Sequence, residues 1–352
     1  MRTSKFIFGL FLFSIVMASL ALSAQTYSVT DLGVLRPGSA RVHDINANAQ
    51  AVGGSGHPHG SETHAFIWQK KTGIVDLGTL SGGDYSVAYA LNDSGTVVGV
   101  SNTGNTMHAF HWTPASGLQD LGTLPGTDAS QAFAINNAGQ IAGSSGSHAV
   151  IWGSNGIIQD LGTLGGPTSE AHGINSSGQV VGFSDNGNSQ QMAFLWNNGA
   201  MQEIGALPGD TVSRANHIND AGIVVGSSEG SGGVRAFMWT ANGGMQAIPS
   251  LSGSSYSEAF GVNATGQVVG QSGSPLGTRA FLWTASGGTI DLNEAVPNLP
   301  VNVVLTGAFS INDKGEIVAF GVRNPGINRH RVVTIDSHFH SGPTRVFLLT
   351  PQ

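Results

Sequence analysis

Along residues 25–352, short apolar runs rich in Val, Ile, Ala and Phe alternate with clusters of Gly, Asn, Asp and Ser. No window keeps the three-and-four spacing of an amphipathic helix. One stretch shows the plan in full. Ser169 to Asn175 reads as a strand ending in Ile-Asn, and Ser176-Ser177-Gly178 as a tight turn. Val180-Val181-Gly182 reads as a second strand, Met192 to Trp196 as a third, and Met201 to Gly205 as a fourth. The same unit recurs seven times, centred on Asn46, Asn92, Asn136, Asn175, Asn219, Asn263 and Asn312, at intervals of 46, 44, 39, 44, 44 and 49 residues. A repeat of that length cannot bury its own apolar face and must stack on copies of itself.

Four strands per unit is the content of a propeller blade. The ends of the pattern sharpen this. A strand carrying Asp31-Leu32-Gly33 stands alone before the first unit, while the seventh unit stops after its third strand, Arg345 to Leu349. One strand from one end and three from the other complete a single blade and close a ring, which removes the exposed edges of an open stack. The expected fold is therefore all-β: a seven-bladed β-propeller of four-stranded blades, closed by the N-terminal strand completing the last blade. Residues 25–352 form the single domain.

Turn chemistry supports this register. Gly95, Gly139, Gly178, Gly222, Gly266 and Gly315 fill the last turn position, where positive φ is needed. Ala49 holds that slot in the first unit, so Asn48 beside it is expected to take the left-handed conformation. All six tryptophans (Trp68, Trp112, Trp152, Trp196, Trp239, Trp283) share one position near the end of the third strand, which points to packing rather than six binding sites.

The first 24 residues differ from the rest. Arg2 and Lys5 precede an apolar run from Phe6 to Leu22 and small residues at Ser23 and Ala24, the layout of a secretory signal peptide cleaved after Ala24. Without it, twelve bases stand against 21 acids, a net −9, and no Lys or Arg occurs between Lys71 and Arg214. That distribution argues against nucleic acid or an anionic membrane surface as partner. No second run is long enough to span a bilayer. The chain has no cysteine, which excludes disulfides, thiol catalysis and cysteine-held metals. An exported monomer, extracellular or periplasmic, is expected.

Units carrying Asp-Leu-Gly-Thr-Leu-Gly-Gly, Ala-x-Gly-Ile-Asn, Gly-Gln-Val-Val-Gly and His-Ala-Phe-x-Trp make this chain resemble the extracellular HAF-repeat family. The tripeptide stands as His64-Ala65-Phe66 and His108-Ala109-Phe110, changes to His148-Ala149-Val150, and loses its His at Met192, Arg235 and Arg279. The resemblance covers essentially all of residues 25–352. It implies an exported repeat protein and supplies no catalytic residues.

Function is expected on the face carrying the second-to-third connections, which vary in length and sequence while the Asn turns on the other face do not. The sharpest chemical cluster is histidine. His57 and His59 lie in the first blade's connection, and Asp336, His338 and His340 lie in the long connection of the seventh, which ring closure makes a neighbour. Alternating histidines suit zinc or copper; two separate His-x-His pairs read equally well as exposed loop residues, and neither a metal nor another cofactor is required. His64, His108, His148 and His172 are expected to be structural. Asp84, Asp128, Glu170, Asp210 and Glu258 read as turn caps, or as a cation-attracting ring at the channel mouth. Asp31, Asp76, Asp120, Asp160 and Asp291 open fourth strands as turn or edge residues. Three functions fit: a non-catalytic scaffold binding an extracellular or envelope ligand, carbohydrate or protein; an enzyme acting on polysaccharide or a similar polymer; and a structural matrix protein.

Overall fold

The computed structural model describes residues 25–35, 38–56, 63–323 and 344–352. These residues form seven four-stranded antiparallel sheets arranged as a propeller. Blade one holds strands Ser39–Ile45, Ala51–Gly56, His64–Gln69 and Gly73–Gly78. Blade seven takes Val303–Ile311, Ile317–Arg323 and Thr344–Pro351 from the C-terminal end and Tyr27–Asp31 from the N-terminal end, with Tyr27 opposite Pro351 and Asp31 opposite Phe347. The predicted closure is therefore the observed one, although the closing strand ends at Asp31 rather than containing the whole Asp-Leu-Gly. Among the described residues, helix is limited to single turns at Leu251–Gly253 and Leu292–Ala295, and no helix is long and apolar enough to cross a membrane.

The core lies between blades. One cluster joins Val52, Ala65, Ile67 and Leu77 of blade one to Ala88, Leu91, Val97 and Phe110 of blade two. The closing seam repeats the pattern: Ala40, Val42 and Phe66 pack with Val318, Val346 and Leu348 of blade seven. The deepest repeated side chain is the Phe of the third strand. Phe66, Phe110, Phe194, Phe237 and Phe281 are wholly buried, whereas Trp112, Trp239 and Trp283 remain half-buried beside the clusters.

Small polar residues, easily passed over in the sequence, stitch the blades together. Ser86, Ser130, Ser169, Ser213 and Ser257 each accept a hydrogen bond at 2.8–3.0 Å from the alanine N–H of the preceding blade's third strand. A second set on the second strands, from Ser101 to Ser272, accepts from the backbone of the incoming connection, as when Leu80 N–H meets Ser101 Oγ at 2.9 Å. Buried hydroxyls placed this way satisfy backbone donors that would otherwise be stranded between sheets.

Three details depart from the sequence reading. Ala49 itself, not Asn48, adopts positive φ, at 57°. Asp76, Asp120 and Asp31 lie at or near the end of their strands, and with Asp160 their Oδ1 accepts the N–H of the Gly two residues on at 2.7–2.9 Å, so they cap the turn that follows. Several second-to-third connections are shorter than their polar composition suggests, because Thr103–Thr106, Asp185–Gln191 and Gly230–Gly233 are already paired as strand. His172 does not share the position of His64, His108 and His148. Those three pair through Nδ1 with Asp76, Asp120 and Asp160 at 2.9, 2.7 and 2.8 Å. Arg279 with Asp291 and Arg345 with Asp31 take the matching places in blades six and seven.

Candidate functional site: the central channel

The first strands of neighbouring blades contact one another and line the channel. Each carries a register shift three residues before its Asn, between Val42 and Asp44, Ala88 and Ala90, Ala132 and Ala134, Ala171 and Gly173, Ala215 and His217, Ala259 and Gly261, and Ala308 and Ser310. A bulge of this kind leaves one residue out of the ladder and re-aims its side chain. The seven bulged residues are His43, Tyr89, Phe133, His172, Asn216, Phe260 and Phe309, all half-buried. The bulge also explains the recurrent Gly of the second strand. A Cβ on Gly53, Gly99, Gly143, Gly182, Gly226 or Gly270 would meet a first-strand carbonyl oxygen at 1.9–2.0 Å. Blade seven has Ala319 there, and its first strand carries a second register shift, between Leu305 and Gly307.

Six of the seven bulged residues form a continuous arc of rings. Phe260 stacks on Phe309 at 4.9 Å; Phe309 meets His43 at 5.9 Å, His43 meets Tyr89 at 5.2 Å, Tyr89 meets Phe133 at 5.2 Å, and Phe133 stacks on His172 at 4.8 Å. The arc is open at blade five, where Asn216 donates to Ala259 O at 2.9 Å and Glu258 Oε1 at 3.3 Å. Burial pushes the His43 imidazole down to about 4, with Arg41 adding to the effect, and pushes Tyr89 up to about 12.

Towards the loop face the next tier is polar in blades four, five and six. Glu170 lies opposite Phe183, Arg214 opposite Ser227 and Glu258 opposite Gln271 in register. Glu170 Oε1 is 2.6 Å from His172 Nε2, the Arg214 guanidinium sits 5.7 Å above the Phe183 ring, and Gln271 hydrogen-bonds the Tyr256 hydroxyl. Of the acids expected in the fourth-to-first connections, Asp84 and Asp210 cap local structure through Asn102 and Ser228, while Glu170 and Glu258 contact the bulged residues His172 and Asn216.

Towards the turn face lies a cavity of about 220 Å³, framed by all seven Asn turns. Asp44 forms part of its lining. Asp44 Oδ1 accepts from Ser310 Oγ at 2.7 Å and from Ile45 N–H at 2.8 Å, and Oδ2 accepts from Leu91 N–H at 3.1 Å, tying blades seven, one and two. Burial raises its carboxyl to about 6 against the pull of those hydrogen bonds. His217, on blade five, is pushed down to about 4 by burial, and its Nδ1 has no hydrogen-bond partner among the described residues. Asp93, Asp220 and Asp313 form the rim, each accepting a backbone N–H from the preceding turn at 2.8–2.9 Å.

His57, His59, Asp336, His338 and His340 lie outside the described residues. Among the described residues no cluster of three His, Asp or Glu side chains is set to hold a metal. The channel tier was missed because the bulged position varies between aromatic, imidazole and amide, and regular alternation does not announce a bulge. Its signal was the fixed offset of three residues before each Asn.

No family model matches the chain, and no curated protein does. Solved structures do. Virginiamycin B lyase from Staphylococcus aureus matches with a TM-score of 0.58 at 13% identity, covering 92% of this chain and 99% of the lyase. A puromycin-hydrolysing peptidase from Mycobacterium tuberculosis matches with a TM-score of 0.53 at 11% identity, covering 84% of this chain and 52% of the peptidase. TolB from Acinetobacter baumannii, at 13% identity and a TM-score of 0.46, covers 68% of this chain, which spans 61% of TolB. At these identities the likeness is one of fold, and the chain is a seven-bladed β-propeller.

Proposed function

We propose that this protein is an exported, non-catalytic binding scaffold of the HAF-repeat kind, and that its ligand enters the central channel from the loop face. The observation that carries this reading is the tier of seven bulged residues. Every blade spends an irregularity at the same place, and in six blades the result is a ring aimed into the channel instead of into the core. Half-buried rings beneath a rim of charged and amide side chains give a ligand apolar area and orienting hydrogen bonds together. A rigid ring of blades lowers the ordering cost of binding.

The enzyme reading keeps one supporting observation, the two carboxylates Glu170 and Glu258 at the loop-face mouth with His172 on the first of them. One experiment separates the two. The full chain is incubated with soluble polysaccharides and with envelope peptides, binding is measured by calorimetry and products by chromatography. Saturable binding without turnover, lost in Phe133→Ala and kept in the outer-edge variant Gln119→Ala, supports the scaffold. Turnover abolished by Glu170→Gln supports the enzyme, and absence of both overturns the channel as the site.

A further inference from the structure

The break in the aromatic arc lies at one blade and is chemically distinct from the rest of the tier. Asn216 stands where the other blades place His, Tyr or Phe. Around it the groups are planar and polar: Arg214 two residues earlier on the same strand, Glu258 bonded to Asn216, and Gln271 opposite Glu258. Phe183 and Phe260 flank this opening, Phe183 beneath the Arg214 guanidinium and Phe260 against Phe309. Arg214 is exposed and the others are half-buried.

We propose that this opening is a subsite for a neutral sugar ring, an inference that rests on the binding reading above. Asn216 Nδ2, Glu258 Oε1, Gln271 Nε2 and Arg214 Nε already hold partners within the fold, which fixes these planar groups in place and leaves the Arg214 Nη atoms, Asn216 Oδ1 and Gln271 Oε1 to meet adjacent hydroxyls on a pyranose. The aromatic neighbours meet the C–H face of the same ring. Charge selects the class further. A cationic ligand would meet Arg214 and an anionic one would meet Glu258, whereas a polyhydroxylated neutral ring engages both without repulsion. An apolar side chain in this place would strip water from Asn216 and Gln271 and return no hydrogen bond.

The repeat itself supplies the test. Asn216→Phe installs the residue that blades three, six and seven already hold at this position, so the blade tolerates it while the opening is filled. Glu258→Gln keeps the shape and removes the charge. The full chain and both variants are titrated with methyl pyranosides of glucose, galactose, mannose and N-acetylglucosamine and with their β-linked trisaccharides, by saturation-transfer NMR and calorimetry, alongside thermal melts. The expected result is saccharide binding weakened about tenfold or more in Asn216→Phe, roughly 1.4 kcal/mol, and weakened in Glu258→Gln, with both melts near that of the parent. Saccharide binding unchanged in both variants overturns the subsite. Binding of a tetrapeptide panel in place of every saccharide, abolished by Phe133→Ala, overturns the sugar and leaves the scaffold standing. If neither saccharide nor peptide binds, both readings fall.

Discussion

Asn312 of blade seven donates its side-chain N–H to the backbone carbonyl of Asn46 in blade one at 3.0 Å, across 266 residues of chain. The bond is one of seven. Asn46 donates to Asn92 O, Asn92 to Asn136 O, Asn136 to Asn175 O, Asn175 to Asn219 O, Asn219 to Asn263 O and Asn263 to Asn312 O, at 2.8–3.3 Å. Each residue thus closes its own turn and passes one hydrogen bond to the next blade, giving a circular network with no end. Buried and fully satisfied networks of this kind specify one arrangement strongly.

Replacing Asn136 by Asp tests the ring without disturbing the turn. The carboxylate still accepts from Ala138 and Gln140 N–H, but it cannot donate to Asn175 O or to Gln140 Oε1. A loss of about 1–3 kcal/mol is expected in denaturant unfolding. The control Asn197→Asp, exposed at the end of the third strand of blade four, should change stability by less.

Removing Tyr27 to Asp31 strips the fourth strand from blade seven and exposes the edge of Thr344–Pro351. It also opens the cluster containing Tyr27, Phe347 and Leu349. A sharp fall in melting temperature with concentration-dependent aggregation is expected, because an unpaired edge templates further pairing. An unchanged melt would show that the seventh blade does not need its borrowed strand.

The second-strand glycines make a sterically sharp case. Gly143→Ala places a methyl 2.0 Å from Gln131 O, a contact that the backbone must move to relieve, and about 3 kcal/mol of destabilisation is expected. Ala319→Gly, at the matching site of blade seven, should cost about 1 kcal/mol at most. Comparable losses at the two sites would contradict the link between bulge and glycine.

Core truncations should follow burial and not residue size. Phe237→Ala should cost about 3–5 kcal/mol, and Trp239→Ala less, since Phe237 is wholly buried and Trp239 half-buried. Urea unfolding of the two variants checks the order.

Acid sensitivity follows from the channel. His43 and His217 titrate near 4 when folded against an ordinary value near 6.5, so the unfolded chain takes up protons that the folded chain refuses. Their contribution is complete above pH 6.5 and is lost as the pH falls towards 4. Asp44 acts in the opposite sense. Its folded value of about 6 lies above the ordinary carboxyl value, so its contribution is complete below pH 4 and fades as the pH rises through 6. With two groups against one, these three together should lower stability from pH 6.5 to pH 4. His43→Phe, which extends the aromatic arc, should flatten that fall in pH-dependent melts, and Asp44→Ala should steepen it.

The repeat count, the strand order within a blade and the offset that closes the ring were all legible in the chain, because each depends on local periodicity and on turn residues such as Asn175 and Gly178 that act on their immediate neighbours. Other features were not legible. The Asn could be read as a turn residue but not as a link between blades, since its side-chain N–H reaches a carbonyl 39 to 49 residues away, or 266 residues away at the closing seam. The recurring Gly could be read as a strand residue but not as relief for a bulge in the strand beside it. The three-residue offset of His43, Tyr89, Phe133, His172, Asn216, Phe260 and Phe309 was present in the letters. Only the backbone shows that a register shift turns those side chains into a shared channel. Sequence alone determined which segments pair and in what cycle, because pairing and turns are local. Tertiary structure alone decided which side chains meet at the axis, because that depends on seven bulges converging from units far apart in the chain.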